Sequence, residues 1–240
     1  MQNRIDSKDI LQLFSGKNLS GEESQYLRYH ARRLAYTITL VQRFIDQHHA
    51  RRILDIGPHF LTFCLAKLLK PQPDISTLGF ADGRLFPPEL ASKHFQGDLN
   101  ECASMEINAS DANFDLITFC ETIEHLYTSP KIILSFLSKL LKQKPGAGIL
   151  IQTPNAASFS KRIRLLLGDN PFELIREERK NPGHFREYTM KELEDYVFEA
   201  GFEIWFRQYC SYWPGSGLLD RLVNVCPSLR GGITMFVVRP

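Results

Sequence analysis

The stretch Arg52-Ile53-Leu54-Asp55-Ile56-Gly57 decides the fold, because a short apolar run ends there at a glycine. Such a run is typical of a buried strand that is followed by a tight turn. Apolar residues then recur at helical spacing until Pro71, where the helical pattern stops. The sequence therefore predicts a strand, a turn and a helix as the first unit of a larger fold.

The same alternation of strands and helices continues along the rest of the chain. Further strands are predicted at 76–80, 94–96, 114–119, 148–153, 202–206 and 233–238. Ser129-Pro130 predicts one helix start, and Thr189 with Glu192 predicts another through a capping box. Alternating apolar strands and helices indicate a parallel sheet covered on both faces. We place this domain at 51–240 and interpret residues 1–50 as a helical preface.

Length and composition are those of one globular domain. The chain has 240 residues, of which 43% are hydrophobic and 23% charged, and its net charge of +2 does not indicate nucleic-acid binding. No apolar run approaches the roughly 20 residues that cross a bilayer, and the five cysteines form no CxxC pair. We therefore expect a cytoplasmic protein with free thiols and no thiolate zinc site, and the charge leaves the partner open with no nucleic acid indicated. Its oligomeric state is left open.

Acidic residues follow four successive predicted strands. They are Asp55, Asp82, Asp98 and Glu121. Ligands of parallel α/β sheets bind beyond the carboxyl ends of the strands, where carboxylates can accept hydrogen bonds from ribose hydroxyls, an amino group or an ammonium. Helix capping is the alternative explanation for any single one of these residues. Their joint placement favours a ligand crevice.

Several motifs around these positions resemble those of the class I S-adenosylmethionine-dependent methyltransferases. They are ILDIG at 53–57, GDL at 97–99, CETIEHL at 120–126, QTPN at 152–155 and GHF at 183–185. The resemblance covers residues 51 to about 205 and looks closest to the branch with the ubiquinone-biosynthesis O-methyltransferases. It implies a Rossmann-like three-layer α/β/α sandwich whose seven-stranded, mostly parallel sheet has one antiparallel strand. It also implies S-adenosylmethionine as cofactor and a small-molecule hydroxyl as methyl acceptor.

The resemblance also implies a place for each part of the cofactor. The cofactor-binding residues would be Asp55, Gly57, Pro58, Asp82, Asp98, Leu99 and Glu121. Of these, Asp55 and Gly57 would border the methionine part, and Asp82 would contact the ribose. Asp98 and Leu99 would lie beside the adenine.

The loop after the first strand departs from the pattern of that family. The family has a glycine-rich loop here, whereas this chain has His59 and Leu61 in place of the second and third glycines. Pro58 offers no N–H to a pyrophosphate, which argues against the third alternative, a Rossmann-type NAD-binding protein. The loop keeps a second alternative open, a catalytically silent methyltransferase-like binding or scaffold protein.

A cluster of acidic residues and histidines carries the predicted chemistry. Glu121, Glu124 and His125 share one face if their segment forms a helical turn. In the resemblance, this segment and a later histidine, here His184, hold a divalent metal in some enzymes. Two carboxylates and two imidazoles suit Mn²⁺, Fe²⁺, Co²⁺ or Zn²⁺ better than Mg²⁺. Without a metal, His125 is the predicted general base. His30 precedes the sheet and is assigned no role.

A long insert at about 156–183 separates the fifth strand from His184, and we predict that it forms a lid over the substrate. Within it, residues 161–167 mix basic and apolar side chains in the order KRIRLLL. Such a segment can be a solvated helix face with a buried edge, or it can contact a membrane surface. The sequence favours the first interpretation and keeps weak membrane-surface contact as the alternative.

Overall fold

The structure is a computed structural model that describes residues 5–80, 93–108, 111–178, 182–211, 223 and 225–240. Its strands are β1 (Arg52–Ile56), β2 (Asp74–Gly79), β3 (His94–Gln96), β4 (Leu116–Cys120), β5 (Gly148–Pro154), β6 (Glu203–Cys210) and β7 (Gly232–Val238). They form one sheet in the order β3-β2-β1-β4-β5-β7-β6. Strand β7 is antiparallel to β5 and β6, and the other neighbouring pairs are parallel. The prediction of a mostly parallel sheet with one antiparallel strand is confirmed.

Helices cover both faces of this sheet. They are α1 (Ser7–Leu13), α2 (Gly21–His48), α3 (Phe60–Leu68), α4 (Pro130–Leu140), α5 (Phe159–Leu166) and α6 (Met190–Glu199). In the described part of the chain, none of the helices combines the length and the apolar character that crossing a bilayer requires.

Two hydrophobic cores fill the space between the helices and the sheet. One core joins α1, α2 and α3 to one face, with Phe44 and Phe236 among its buried members. The other joins α4 and α6 to the opposite face, with Phe119 and Leu137 among its buried members. Helix α2 has 28 residues and packs along the sheet, so it shares a core with the strands that it precedes.

Local signals set most element boundaries. Thr189 and Glu192 form the predicted capping box, and α6 ends just before Gly201, whose φ is 78°. Ser129 occupies the predicted N-cap position of α4, but its side chain makes no capping hydrogen bond. The predicted helix start is confirmed, and Pro130 in the first turn favours it because its fixed φ suits a helix.

Candidate functional site

The turn after β1 lies against the end of β2. Gly57 has a φ of 74°, and its N–H donates to the Leu78 carbonyl at 2.9 Å. A Cβ added to Gly79 would lie 3.3 Å from the Gly57 nitrogen. Two glycines thus allow two strand ends to approach closely, at the edge where ligands of such sheets bind.

The turn continues without the second glycine of the family pattern. Pro58 is buried, and His59 has an extended backbone with a φ of −156°, which any residue can adopt. The His59 N–H donates to the Thr62 hydroxyl at 2.9 Å, and its ring contacts the edge of the Tyr26 ring. The chain therefore enters α3 directly, and no left-handed residue is needed at position 59.

Asp55 lies beneath this turn and is only 1% exposed. Its carboxylate accepts hydrogen bonds from the Thr62 hydroxyl at 2.6 Å and from the Thr118 hydroxyl at 2.5 Å. Burial raises the pKa of Asp55 to about 7, although both hydrogen bonds oppose this shift. Asp55 thus joins the first turn of α3 to β4 and supports the loop from below.

The segment predicted to border the adenine is anchored to the loop after β4. Asp98 accepts a hydrogen bond from the Asn100 N–H at 3.0 Å, and Leu99 is buried in the core. The Asn100 side chain accepts hydrogen bonds from the N–H groups of Tyr127 and Thr128 at 2.8 and 3.2 Å. Asp82, the predicted ribose contact, lies outside the described residues.

Glu121 directly follows β4 and has a left-handed conformation with a φ of 50°. Its N–H donates to the Gln152 carbonyl at 2.7 Å, and the 3-10 turn that follows spans Ile123–His125. Glu121 therefore precedes the turn, and the prediction that it shares a helical face with Glu124 and His125 was wrong. The backbone reversal turns its side chain towards α2, where Arg33 lies 3.8 Å away.

Arg33 is the centre of a buried polar group on α2 that the sequence analysis missed. It is 4% exposed and donates to the Tyr26 hydroxyl at 3.1 Å and to His30 Nδ1 at 3.3 Å. Burial, together with the charge of Arg33, lowers the pKa of His30 to about 3, so its imidazole is neutral. These residues lie at i, i+4 and i+7 within the apolar stripe of α2. Polar residues in such a stripe were the available signal.

Glu124, His125 and His184 do converge. Each offers one ligand atom, and these atoms lie within 4.8 Å of one another. Glu121 is not part of this set. The His125 Nδ1–H donates to the Gly183 carbonyl at 2.8 Å, which leaves Nε2 as the nitrogen for a ligand. His184 contacts Glu187 through Nδ1 at 3.0 Å and Glu173 through Nε2 at 3.3 Å.

Burial governs the charges of this cluster. The Glu124 carboxyl is fully buried; its Oε2 accepts from the Thr153 hydroxyl at 2.9 Å, and its Oε1 has no hydrogen-bond partner among the described residues. Burial raises the pKa of Glu124 well above its usual value, and Glu121 raises it further. Burial also lowers the pKa of His184 to about 4, and His125 contributes. A neutral His184 imidazole and a Glu124 carboxyl oxygen without a partner fit a divalent cation, or a proton on Glu124.

Lys161 of α5 is a further residue beside the cluster that sequence reasoning did not assign to it. It pairs with Glu187, the same carboxylate that contacts His184, and donates to the Asn155 carbonyl at 3.3 Å. Burial lowers the pKa of Lys161 to about 8, and the charges of Glu124 and Glu121 oppose this shift. Together with Glu173, which contacts His184, Lys161 thus attaches the insert to the candidate site.

An open groove lies away from these residues. Its volume is about 1060 Å³, and it runs along α4 past Cys102, Ile132, Phe136 and Lys142. None of the predicted site residues lines it. The candidate site is therefore the region beyond the ends of β1, β4 and β5, where the acidic residues and histidines gather.

Comparison with known proteins identifies the family. A family model described as a methyltransferase domain matches residues 26–205. A probable S-adenosylmethionine-dependent methyltransferase from Mycolicibacterium smegmatis is 29% identical over 115 residues, which are 48% of this chain and 38% of that protein. The chain therefore matches little more than a third of that relative's length.

Solved structures agree on the fold. A S-adenosylmethionine-dependent methyltransferase from Clostridium acetobutylicum superposes with a TM-score of 0.54 at 15% identity, covering 84% of this chain and 90% of that chain. Magnesium protoporphyrin IX methyltransferase from Synechocystis with bound SAH gives 0.53 at 9% identity, covering 96% and 92%. The chain belongs to the methyltransferase-domain family and has the class I S-adenosylmethionine-dependent methyltransferase domain.

Proposed function

We propose that this domain transfers the methyl group of S-adenosylmethionine to a hydroxyl oxygen of a small molecule in the cytoplasm. The observation that carries the proposal is the convergence of Glu124, His125 and His184 within 4.8 Å, beyond the strands that form the cofactor crevice. The resemblance to the ubiquinone-biosynthesis branch is our reason for choosing oxygen over nitrogen as the acceptor atom.

The cofactor would occupy the crevice between the turn after β1 and the loops after β3 and β4. Gly57 and Pro58 would border its methionine part above the buried Asp55. The Asp98-Leu99 segment would lie beside the adenine, and Asp82 stays our sequence-based candidate for the ribose. Sulfonium is already an activated leaving group, so the main task of the protein is to align acceptor and methyl group for in-line displacement.

The acceptor would bind at the cluster. His125 Nε2 is available to take the hydroxyl proton, because Nδ1 is fixed by the Gly183 carbonyl. If a divalent cation is required, Glu124, His125 and His184 would hold it, and its chemical contribution would be to lower the pKa of the hydroxyl. Glu187 and Lys161 would position His184 in either case.

The insert at 156–183 would act as a lid over the acceptor. Its residues 162–178 are exposed almost throughout, whereas Gly183 at its end is buried and holds His125. A lid that closes on substrate excludes water from the reacting atoms and is commonly mobile. Hydrogen exchange in the described part of the insert should slow when cofactor and acceptor are both bound.

Calorimetry and metal analysis test the proposal. The untagged protein is titrated with S-adenosylmethionine and S-adenosylhomocysteine, and its bound metal is measured before and after chelation. We expect binding of both nucleosides, and loss of methyl transfer in Glu124→Gln but not in the surface control Glu203→Gln. Absence of binding at millimolar concentration would favour the silent binding module. If chelation leaves methyl transfer unchanged while His125→Ala abolishes it, His125 acts as the base without a metal.

A further inference from the structure

One part of the insert lies directly against the loop that leads into His184. We call this part, residues 173–176, the return arm. The Arg176 N–H donates to the Pro182 carbonyl at 2.7 Å, and a Cβ added to Gly183 would lie 2.5 Å from the Leu174 carbonyl oxygen. The return arm and the loop are therefore in close contact, at a point where the neighbouring residue has no side chain.

The return arm supports both histidines of the candidate site. Glu173 pairs with Arg176 at 2.6 Å and contacts His184 Nε2 at 3.3 Å. Gly183, which the return arm covers, accepts a hydrogen bond from His125 Nδ1 at 2.8 Å. Movement of the return arm would therefore change the surroundings of both imidazoles together.

His184 has a carboxylate next to each of its ring nitrogens. Glu173 contacts Nε2 from the insert, and Glu187 contacts Nδ1 at 3.0 Å. A further hydrogen-bond partner can therefore reach a nitrogen of this ring only after one of the two carboxylates has left it.

The contact with Glu173 is the weaker of these two. The Glu187 side chain is only 5% exposed and also pairs with Lys161, so its charge is balanced within the protein. The Glu173 side chain is 35% exposed, so water can replace His184 as its partner. A neutral imidazole has one N–H, which can serve only one carboxylate, and the shorter contact is with Glu187. Nε2 then presents a lone pair, which suits a hydrogen-bond donor better than a carboxylate.

We propose that Glu173 is a displaceable latch, which holds the insert closed by occupying His184 Nε2 until a hydrogen-bond donor of the methyl acceptor takes its place. This inference rests on the proposed function, in which the acceptor binds at the cluster. Because only molecules with an open latch bind the acceptor, its apparent affinity is reduced in proportion to the open fraction. The alternative is a fixed strut, in which the return arm never leaves the loop while the domain is folded.

Hydrogen exchange of the full chain without ligands separates a latch from a strut. The Arg176 amide reports on opening, because its hydrogen bond to Pro182 joins the return arm to the loop. We expect this amide to be protected, yet to exchange at least about 100-fold faster than the buried amides of β5, which require global unfolding. Exchange in step with β5 would indicate a strut, and exchange at the rate of an unstructured peptide would mean that the arm is not closed. Either result overturns the proposal.

Diethyl pyrocarbonate tests whether Glu173 occupies His184, because this reagent acylates an imidazole nitrogen whose lone pair is accessible. Mass spectrometry follows the reaction at His184 relative to the exposed His49, again without ligands. Glu173→Ala should raise the relative rate at His184 about fivefold or more, by increasing the open fraction. Glu177→Ala, which removes another exposed carboxylate of the insert, should leave this rate unchanged.

Circular dichroism and urea unfolding verify that both variants are folded as the wild type is. If His184 reacts equally fast in wild type and in Glu173→Ala, Glu173 does not guard this nitrogen and the proposal is overturned. The same holds if Glu177→Ala has as large an effect as Glu173→Ala. Neither measurement uses cofactor or acceptor, so their outcome is distinguishable from a failure of cofactor binding or methyl transfer.

Discussion

Replacing Asp55 with asparagine tests whether the carboxyl beneath the cofactor loop is protonated in the folded protein. Burial raises its pKa from 3.8 to about 7, and the Thr62 and Thr118 hydroxyls lie at hydrogen-bond distance. Asparagine has nearly the same shape and does not ionise. The two proteins should therefore differ in how the free energy of unfolding depends on pH.

The size of the difference follows from the two pKa values. Because the folded pKa is raised, the folded protein keeps a proton that the unfolded chain releases, so this stability is fully present below pH 3.8 and is lost as pH rises through about 7. At about 1.4 kcal/mol per pKa unit, the penalty at Asp55 grows from roughly 1.7 kcal/mol at pH 5 to roughly 4.3 kcal/mol at pH 8. Wild type should lose about 2.5 kcal/mol relative to Asp55→Asn over this range.

Urea unfolding at several pH values between 5 and 8, without cofactor, measures this difference. Any constant offset from altered hydrogen bonds cancels when two pH values are compared. Asp195, which is exposed on α6, provides the control, because Asp195→Asn should follow the wild-type curve at all pH values. If the difference between wild type and Asp55→Asn is the same at pH 5 and pH 8, Asp55 is ionised and the reasoning from burial fails.

Two further substitutions address the candidate site, and a third addresses Asp115 at the opposite end of the sheet. Gly183→Ala should abolish methyl transfer with little change in the cofactor affinity measured by calorimetry. The added Cβ would lie 2.5 Å from the Leu174 carbonyl oxygen, and the φ of 79° at Gly183 is unfavourable for alanine. Asp115 accepts from two backbone N–H groups and two lysines; burial raises its pKa, but these bonds lower it to about 2. Asp115→Asn should lower the free energy of unfolding, measured with urea at pH 7, by about 2 to 3 kcal/mol. In the wild type this stabilisation is lost as pH falls through about 2. Unchanged stability of the variant at pH 7 would contradict this reasoning. Arg33→Met should weaken S-adenosylhomocysteine binding about fivefold or more, because Glu121 loses its buried partner, whereas the exposed control Arg43→Met should bind normally.

Much of the fold was determined by local sequence patterns. The run that ends at Gly57 and the apolar run at 148–153 predicted β1 and β5 within one residue, because buried strands of a parallel sheet need apolar side chains on both faces. The capping box at Thr189 identified the start of α6 in the same way. Ser129 is the N-cap residue of α4, as predicted, but its side chain makes no capping hydrogen bond. The residue type at an N-cap shows that such a bond can form, but it does not fix the side-chain rotamer.

The candidate site could be predicted only in part. The strand-end rule and the family motifs brought Glu124, His125 and His184 together correctly. Glu121 was misplaced, since spacing along the chain assumes continuous helical geometry and its φ of 50° breaks that geometry. A single backbone angle decided which carboxylate joins the histidines.

What the sequence determined by itself was the order of elements, the strand ends that bear acidic residues and the basic, apolar character of the insert. The tertiary structure decided which residues from distant parts of the chain meet at those ends. Arg33 of α2 reaches Glu121, and Lys161 of α5 joins Glu187 beside His184. Helical periodicity indicates which side of a helix is buried. The strand against which that side packs depends on the packing of the whole core, which brings together residues that are far apart in sequence.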